Sequence, residues 1–319
     1  SYGKCCSRRV GVRTNRSPTN PEQSLEVGSR KKNKMKPAAF DYYCPDTVEE
    51  TVNLLSEYGD DSLLLAGGLS LGAMLNMRKA RPSVLIDINK VKHLDNITKT
   101  DGHLKLGALV RQGNLTSSKE CSVFIPLLAE GMKHLGHYQT RSRGTIGGSV
   151  AHADPSAEIP LCAVTLGGEV ELMSSRGKRT VAANDFFVGA LETLRAEDEL
   201  VTGVNFPIYE GKYGVAFDEI SERKGDFAIV AAAAYIAVKD EQFQIKIGLG
   251  GVEDRPRYIE FNDRKIEHEN ICENIDHFIS ELVPLEDRRA SGAFRQQLAG
   301  HLSRKVFKIA MENCDFEAS

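Results

Sequence analysis

Two pairs of adjacent glycines constrain the chain more than any other feature of its sequence. The first pair lies in 66–70 (AGGLS) and the second in 145–149 (TIGGS), and each follows apolar sequence and precedes a helical pattern. Adjacent glycines let backbone N–H groups come close around an anion, because no Cβ blocks the approach and the dipole of the following helix adds attraction. The paired turns therefore predict a two-part cradle for a pyrophosphate group.

Neither glycine turn belongs to a common nucleotide-binding motif. The sequence around the turns lacks both the GxGxxG spacing of a Rossmann site and the lysine of a P-loop. Taken singly, each Gly-Gly pair is most often a tight turn between a strand and a helix. We favour the cradle because both pairs occupy similar positions and each has a hydroxyl residue beside it.

The first 90 residues show an alternation of helices and strands. A capping-box-like start at Asp46 and a stop at Gly59 predict an amphipathic helix. An apolar strand at 62–66, a helix at 70–77 and a buried strand at 83–88 follow. This unit is typical of a mixed α/β structure.

The remainder of the chain reads as strands followed by helices. A helix at 159–166 is expected to begin with an N-cap at Asp154 and Pro155. Strands are predicted at 104–110, 170–173, 179–181, 200–206, 215–220, 229–238 and 243–249, and helices at about 270–282 and 290–311. In the last helix, a repeat of four predicts one buried face from Phe294, Leu298, Leu302 and Val306.

Charge is unevenly distributed along the chain. The net charge is −3, but residues 1–34 contain nine Lys and Arg against two acids, so the remainder carries −10. A folded protein with this much negative charge is a poor binder of nucleic acid. We interpret residues 1–34 as a disordered basic leader, a non-native extension that precedes the true start at Met35.

Cysteine usage indicates a reducing environment. The seven cysteines, at positions 5, 6, 44, 121, 162, 272 and 314, form no CxxC pair and no spacing that holds zinc or an iron–sulfur cluster. No stretch approaches the roughly 18 consecutive apolar residues of a transmembrane helix. We therefore expect a cytoplasmic protein with free thiols and no membrane span.

Several longer motifs resemble a single family and follow its order. They lie at 36–42 (KPAAFDY), 66–71 (AGGLSL), 75–78 (LNMR), 139–155 (QTRSRGTIGGSVAHADP), 223–228 (RKGDFA), 250–252 (GGV) and 287–291 (DRRAS). Together they resemble the medium, FAD-binding subunit of carbon monoxide dehydrogenase and its xanthine dehydrogenase-type relatives, the molybdenum hydroxylases. The similarity runs from Met35 nearly to the end of the chain.

The resemblance implies an α+β fold with two domains. A two-part FAD-binding domain of the vanillyl-alcohol-oxidase-like (PCMH) type is expected at 35–211, with subdomains at about 35–90 and 91–211. A C-terminal domain of the carbon monoxide dehydrogenase flavoprotein type, made of a three-stranded sheet and helices, is expected at 212–319.

The resemblance also assigns the cofactor contacts. In the family the FAD diphosphate lies between the two glycine turns, and an acidic residue and apolar residues near the flavin ring complete the site. The corresponding residues here are Leu64, Leu65, Ala66, Gly67, Gly68, Leu69, Ser70, Leu71, Leu135, Thr145, Ile146, Gly147, Gly148, Ser149, Glu158 and Val201. No catalytic residue or metal ligand is expected, because a flavin stores electrons itself and the protein supplies position and electrostatics.

The sequence departs from the family pattern in two places. Relatives usually have a lysine where Asp218 or Glu219 stands, so the charge near the flavin ring, and with it the reduction potential, is expected to differ. Leu69 replaces a residue that is commonly polar. Arg141 and Arg143 could face cofactor phosphates or an acidic partner, but a solvated loop is the slightly better interpretation.

The resemblance implies a division of labour among three subunits. A large subunit with a molybdenum–pterin cofactor would oxidise a small heteroaromatic or aldehyde-like substrate, and a small subunit with two [2Fe–2S] clusters would carry the electrons to the FAD of this chain. This chain would pass them to an external acceptor such as NAD, oxygen or a quinone. The expected assembly is a dimer of heterotrimers.

Two other interpretations remain open from the sequence. The chain could be a self-sufficient FAD-dependent oxidoreductase of the same superfamily, although the roughly 100 residues after Tyr213 are few for a substrate-binding domain. It could also be a non-catalytic protein whose glycine turns are structural. A flavin absorption spectrum in the purified protein would exclude the second of these.

Overall fold

The structure, a computed structural model, describes residues 35–239, 242–264 and 268–314. The interpretation of residues 1–34 as a leader lies outside these described residues. Within the described ranges, no helix combines the length and the apolar character needed to cross a membrane.

A small parallel sheet positions the first glycine turn. In chain order, the elements of this unit are β1 (Asp41–Tyr43), α1 (Val48–Tyr58), β2 (Ser62–Leu65), α2 (Leu69–Asn76) and β3 (Val84–Asp87). The strands lie in the order β1-β3-β2 and are all parallel. Val52 and Leu55 of α1 are buried in one cluster with Ile86 of β3, so β2 is held with its carboxyl end leading directly into the turn at 66–68.

The first helix ends as predicted at Gly59 but is capped by a different residue. Thr47 Oγ1 accepts a hydrogen bond from the backbone N–H of Glu50 at 3.1 Å, and Glu50 Oε2 accepts one from the N–H of Asp46 at 2.9 Å. The N-cap is therefore Thr47 and not Asp46. Thr47 is favoured because its side chain reaches the N3 amide from an extended backbone.

An antiparallel five-stranded sheet and a series of short helices position the second glycine turn. In chain order, this part comprises β4 (Ile97–Thr100), β5 (His103–Gly107), α3 (Gln112–Thr116), α4 (Lys119–Phe124), α5 (Pro126–Gly131), α6 (Tyr138–Arg143), α7 (Ile146–His152), α8 (Glu158–Leu166), β6 (Glu169–Ser174), β7 (Gly177–Ala182), α9 (Ala183–Phe186), β8 (Phe187–Gly189), β9 (Glu192–Thr193) and β10 (Leu200–Pro207). The sheet order is β4-β5-β10-β6-β7, and β8 pairs with β9. The strands predicted at 170–173 and 179–181 are confirmed as β6 and β7, which pair antiparallel.

Helix α8 runs through the interior of this part, and every one of its residues is buried. It begins at Glu158, and its N-cap residue, Ala157, makes no side-chain cap. The predicted cap at Asp154 and Pro155 is wrong, because Asp154 Oδ1 instead accepts a hydrogen bond from the N–H of Ser156 at 2.9 Å. Asp154 thus closes a turn that precedes the helix.

The C-terminal part is a four-stranded antiparallel sheet covered by two helices. Its elements are β11 (Tyr213–Ile220), β12 (Val230–Lys239), β13 (Gln242–Gly250), β14 (Arg257–Asp263), α10 (His268–Glu281) and α11 (Gly292–Asn313), with the strands in the order β11-β12-β13-β14. The prediction of three strands is therefore wrong. The sequence does not reveal β14, because this edge strand mixes charged and apolar residues and none of them is fully buried.

Both faces of β12 are buried, which explains its alanine-rich sequence. Ala233 and Tyr235 belong to the central core together with residues of α5 and α8. Ala234 and Ile236 belong to a second core with residues of α10 and α11. Small side chains allow close packing on both sides, and the C-terminal sheet consequently shares a hydrophobic core with the central part.

The buried face of α11 is only partly the predicted one. Leu302 and Val306 are buried as expected, and Leu298 is half-buried. Phe294, however, is 44% exposed, whereas the neighbouring Arg295 is fully buried. The inward position at the start of the helix is taken by Arg295 because its guanidinium donates hydrogen bonds to backbone carbonyl groups in the interior.

Candidate cofactor-binding site

The two glycine turns meet at one cavity of about 840 Å³. The wall also includes parts of the β5–α3 turn, the segment that precedes α6, the start of β10 and residues of the loop between β11 and β12. Cofactor sites typically enclose roughly 300–1,000 Å³. The cavity therefore has the size of a site for a large organic cofactor.

Most of the predicted cofactor contacts lie on the wall of this cavity. Those that line it are Leu64, Ala66, Gly67, Gly68, Leu69, Ser70, Leu71, Leu135, Thr145, Gly147, Gly148, Ser149, Glu158 and Val201. Leu65 and Ile146 do not line it: Leu65 is the last residue of β2, and Ile146 is fully buried in the central core. Contact between the lining residues and FAD stays a prediction.

The first glycine turn presents hydrogen-bond donors to the cavity. Helix α2 begins at Leu69, directly after Gly68, whose left-handed backbone (φ 75°) forms the N-cap without a side-chain cap. The carbonyl of Gly68 accepts the N–H of Gly72, and the amides of Leu69, Ser70 and Leu71 have no partner among the described residues. Together with the helix dipole, these amides favour an anion.

The second glycine turn is built differently, because its backbone donors are already used. The N–H of Gly147 donates to the carbonyl of Ala108 at 2.9 Å, and that of Gly148 donates to Thr145 Oγ1 at 3.1 Å. The N–H of Ser149 donates to the Thr145 carbonyl at 3.1 Å. The expectation that both turns offer backbone donors thus holds for the first turn only. The second turn instead contributes Gly147, Gly148 and Ser149 to the cavity wall without free backbone donors.

A hydrogen-bonded chain connects the two turns behind the cavity. Asn89 Nδ2 donates to the carbonyl of Ala66 at 2.9 Å, and Arg111 Nη2 donates to Asn89 Oδ1 at 2.7 Å. Arg111 Nη1 donates to the carbonyl of Arg143 at 2.6 Å, just before the second turn. Asp87 Oδ1 accepts hydrogen bonds from both nitrogens of Asn89 and so fixes its orientation.

Sequence reasoning missed Asn89 and Arg111. Asn89 did carry a signal, because it follows the carboxyl end of a parallel strand, where ligand-binding groups gather in open α/β sheets. Arg111 carried no local signal, since its partners are a side-chain oxygen 22 positions away in sequence and a backbone carbonyl 32 positions away.

Glu158 is a buried carboxyl group on the cavity wall. Its residue is 4% exposed, and burial raises the pKa of Glu158 to about 8. A carboxyl group with this pKa is mostly protonated at neutral pH, and it can then donate as well as accept a hydrogen bond. Such a group suits contact with an uncharged part of a cofactor better than contact with a phosphate.

A second buried carboxyl group, Glu219, lies outside the cavity wall. Its side chain is 4% exposed, its Oε2 has no hydrogen-bond partner among the described residues, and its Oε1 lies 3.9 Å from His134 Nδ1. Burial, followed by the charge of Asp218, raises the pKa of Glu219 to about 7, and burial lowers the pKa of His134. Asp218 itself pairs with Lys305 Nζ at 2.6 Å.

Arg141 supports the cavity wall, so its interpretation as a residue of a solvated loop is wrong. Its Nη1 donates to the carbonyl groups of Leu135 and Gly136, at 2.8 and 2.7 Å. Both of these residues line the cavity. Arg143, in contrast, is exposed.

The described residues contain no group of three or more His, Cys, Asp and Glu side chains that could hold a metal ion. Cys44, Cys121 and Cys162 are free thiols.

Comparison with known families gives two matches that together span most of the described chain. Residues 38–209 match the FAD binding domain in molybdopterin dehydrogenase, and residues 215–310 match the CO dehydrogenase flavoprotein C-terminal domain. The first match alone covers more than half of the chain.

Individual relatives agree with these matches. The chain is 44% identical over 208 residues to the 6-hydroxypseudooxynicotine dehydrogenase complex subunit alpha of Paenarthrobacter nicotinovorans, covering 65% of this chain and 70% of the relative. It is 31% identical to the carbon monoxide dehydrogenase medium chain of Hydrogenophaga pseudoflava, covering 88% and 100%. The crystal structure of quinoline 2-oxidoreductase from Pseudomonas putida 86 superposes with a TM-score of 0.79 and 32% identity, covering 88% and 99%.

Proposed function

Because the chain belongs to the family of FAD-binding medium subunits of molybdenum hydroxylases, we propose that it is the electron-transfer subunit of a heterotrimeric hydroxylase. It accepts electrons from the [2Fe–2S] clusters of a partner subunit and passes them to an external acceptor. The observation that carries this proposal is the cavity walled by both glycine turns, with the uncapped N-terminus of α2 opening into it.

The residues of the cavity fit the chemistry of FAD. When bound, FAD stores the electrons in its ring system. The free amides of Leu69, Ser70 and Leu71 suit its diphosphate, and the protonated Glu158 suits its uncharged parts. Gln112 also lines the cavity, and its buried Oε1 has no partner among the described residues, so it can accept a hydrogen bond from the cofactor.

The partners and the substrate class are inferred from the relatives. The names "complex subunit alpha" and "medium chain" support an assembly with larger and smaller partner subunits. In our proposal these are a large molybdopterin-binding subunit and a small [2Fe–2S] subunit, and the assembly is a dimer of heterotrimers. The hydroxylated substrate is a small heteroaromatic or aldehyde-like molecule, as the named substrates of the nicotine-derived and quinoline relatives suggest. Free thiols support a cytoplasmic location.

A charge placed at the N-terminus of α2 tests the proposed diphosphate site. Ser70→Asp adds a carboxylate that is favourable to the helix dipole by about 0.3–1 kcal/mol, so the apoprotein should be at least as stable as the wild type. The same carboxylate repels a diphosphate, and FAD affinity should fall at least about tenfold.

The matched control is Ser70→Asn, because asparagine has nearly the same shape as aspartate but carries no charge. Flavin fluorescence titration should give it an FAD affinity close to that of the wild type. Equal FAD affinities for the Asp and Asn variants would contradict an anion site at this helix.

A further inference from the structure

Arg111 lies between the two glycine turns and contacts the supports of both. One arm of its guanidinium reaches Asn89, which in turn holds the carbonyl of Ala66, and the other arm reaches the carbonyl of Arg143. The planar guanidinium presents donors in fixed directions, so these two contacts set a definite distance between the walls. Arg111 is followed closely by Gln112, which lines the cavity.

The first glycine turn lies very close to the segment that precedes the second turn. The backbone of Gly67 approaches the second wall so closely that a Cβ on this residue would lie 2.5 Å from the carbonyl oxygen of Arg143. The carbonyl that Gly67 approaches is the same one to which Arg111 donates. The two turns therefore meet at a contact that the arginine fixes directly.

Arg111 also places a positive charge next to the cradle. Asp87 and Asp95 attract this charge and Arg143 repels it. Arginine keeps its charge in proteins at any ordinary pH, so the charge is present whether or not a ligand is bound. A fixed cation at this place adds to the attraction that the N-terminus of α2 exerts on an anion.

We propose that Arg111 and Asn89 are positioning residues that clamp the two glycine turns at the separation at which the cavity binds a diphosphate. This inference rests on the proposed function, because it assumes that the diphosphate of FAD lies between the turns. Neither residue lines the cavity, so both act through the backbone carbonyl groups that they hold.

The clamp is tested with variants that separate spacing from charge. Arg111→Lys keeps the charge but loses the two-directional donor set, Asn89→Ala interrupts the link to Ala66, and Arg111→Gln removes the charge as well. Arg304→Gln is the matched control: Arg304 also donates to a backbone carbonyl, that of Gly300 at 3.0 Å, but lies in α11. For each protein we would measure the thermal unfolding of the apoprotein and the affinities for FAD and for riboflavin, which has the ring without the diphosphate.

The clamp predicts different effects on the affinities for FAD and for riboflavin. FAD affinity should fall at least about tenfold in Asn89→Ala and in Arg111→Lys, and by more in Arg111→Gln. The FAD affinity of Arg111→Gln should also depend less on salt concentration than that of the wild type, because the variant lacks the positive charge. Riboflavin affinity should change less than about twofold in all of them, and the control should resemble the wild type. If Arg111→Gln does not fold, Asn89→Ala and Arg111→Lys decide the question.

Two outcomes would overturn the clamp without refuting the proposed function. One is unchanged FAD affinity in Asn89→Ala and Arg111→Lys. The other is an equal loss of FAD and riboflavin affinity, which would indicate a general disturbance of the cavity. A wild-type protein that binds neither flavin would instead refute the proposed function, and this inference with it.

Discussion

Glu158 and Glu219 show that burial, and not sequence pattern, sets the protonation of the residues around the cavity. Burial removes each carboxyl group from water and so disfavours the charged form, which raises the pKa of Glu158 to about 8 and that of Glu219 to about 7. In the unfolded chain both groups would titrate near 4.3. The folded protein therefore holds protons on both groups over a pH range in which the unfolded chain has released them.

This difference predicts a loss of stability with increasing pH. Since the folded pKa of Glu219 is raised, its contribution is fully present below the unfolded pKa and is lost as pH rises through the folded value of about 7. Glu219→Gln removes this titration, so its free energy of unfolding should fall less than that of the wild type between pH 5 and 8, by about 1–3 kcal/mol. Urea denaturation of the apoproteins at both pH values measures the difference, and parallel curves for the two proteins would refute the burial argument.

At the level of single residues, the sequence predicted the groups that line the cavity better than the groups that hold it. Gly67 and Gly147 were recognisable because two Gly-Gly pairs occupy similar positions before a helix and glycine lets backbone come close to a ligand. Arg111 and Asn89 act through backbone carbonyl groups far along the chain, and such contacts leave no periodicity or motif. Glu158 was found only through the family resemblance.

The helices that follow the two glycine turns differ in what their glycines do. In α7, a Cβ on Gly147 would lie 2.5 Å from the Ala108 Cβ and 2.8 Å from its Cα, so this glycine permits close packing against the β5–α3 turn. In α2, a Cβ on Gly72 would have no atom within 4 Å. A substitution at Gly147 therefore disturbs the fold directly, and loss of FAD from such a variant would not locate the diphosphate.

These environments predict opposite effects of the same substitution. Gly147→Ala should lower the free energy of unfolding of the apoprotein by about 1–3 kcal/mol, because the methyl group is forced into Ala108. Gly72→Ala should raise it by up to about 1 kcal/mol, because alanine is the better helix former and the space is open. Chemical denaturation without flavin measures both, and a Gly147→Ala protein as stable as the wild type would contradict the close contact.

At the level of elements, the sequence predicted those with a strong hydrophobic pattern. The strands β6, β10, β12 and β13 were recognised because their inward residues are apolar. The strands β1, β4 and β14 were missed because exposed or half-buried residues dominate them, so pairing with a neighbouring strand decides their conformation. The cap of α1 was misplaced by one residue, since Asp46 and Thr47 are both good capping residues.

On the scale of the whole molecule, the division of the chain into domains at 35–211 and 212–319 remains a proposal. The packing shows how the two parts are joined. One face of the C-terminal sheet, including Val215, Phe217 and Tyr235, belongs to the same core as α5 and α8. The two parts thus match different families but bury apolar surface against each other. We expect them to unfold as one cooperative unit.

A truncation tests this cooperativity. A chain ending at residue 211 would expose the apolar faces of α5 and α8, so it should aggregate or lack a cooperative thermal transition. The control is a chain that starts at Met35, which should unfold like the full chain if residues 1–34 have no part in the fold. A sharp, independent transition for residues 35–211 would show that the two parts are separable.

The central claim is that this chain holds a flavin that relays electrons, while substrate is oxidised in a partner subunit. The most direct measurement is the anaerobic bleaching of the flavin absorbance by candidate heteroaromatic and aldehyde substrates, with and without the molybdenum and iron–sulfur subunits. We predict no bleaching of the isolated FAD-loaded chain and rapid bleaching once the partners are added. Rapid bleaching of the isolated chain by a substrate would contradict the claim and identify a self-sufficient flavin oxidoreductase.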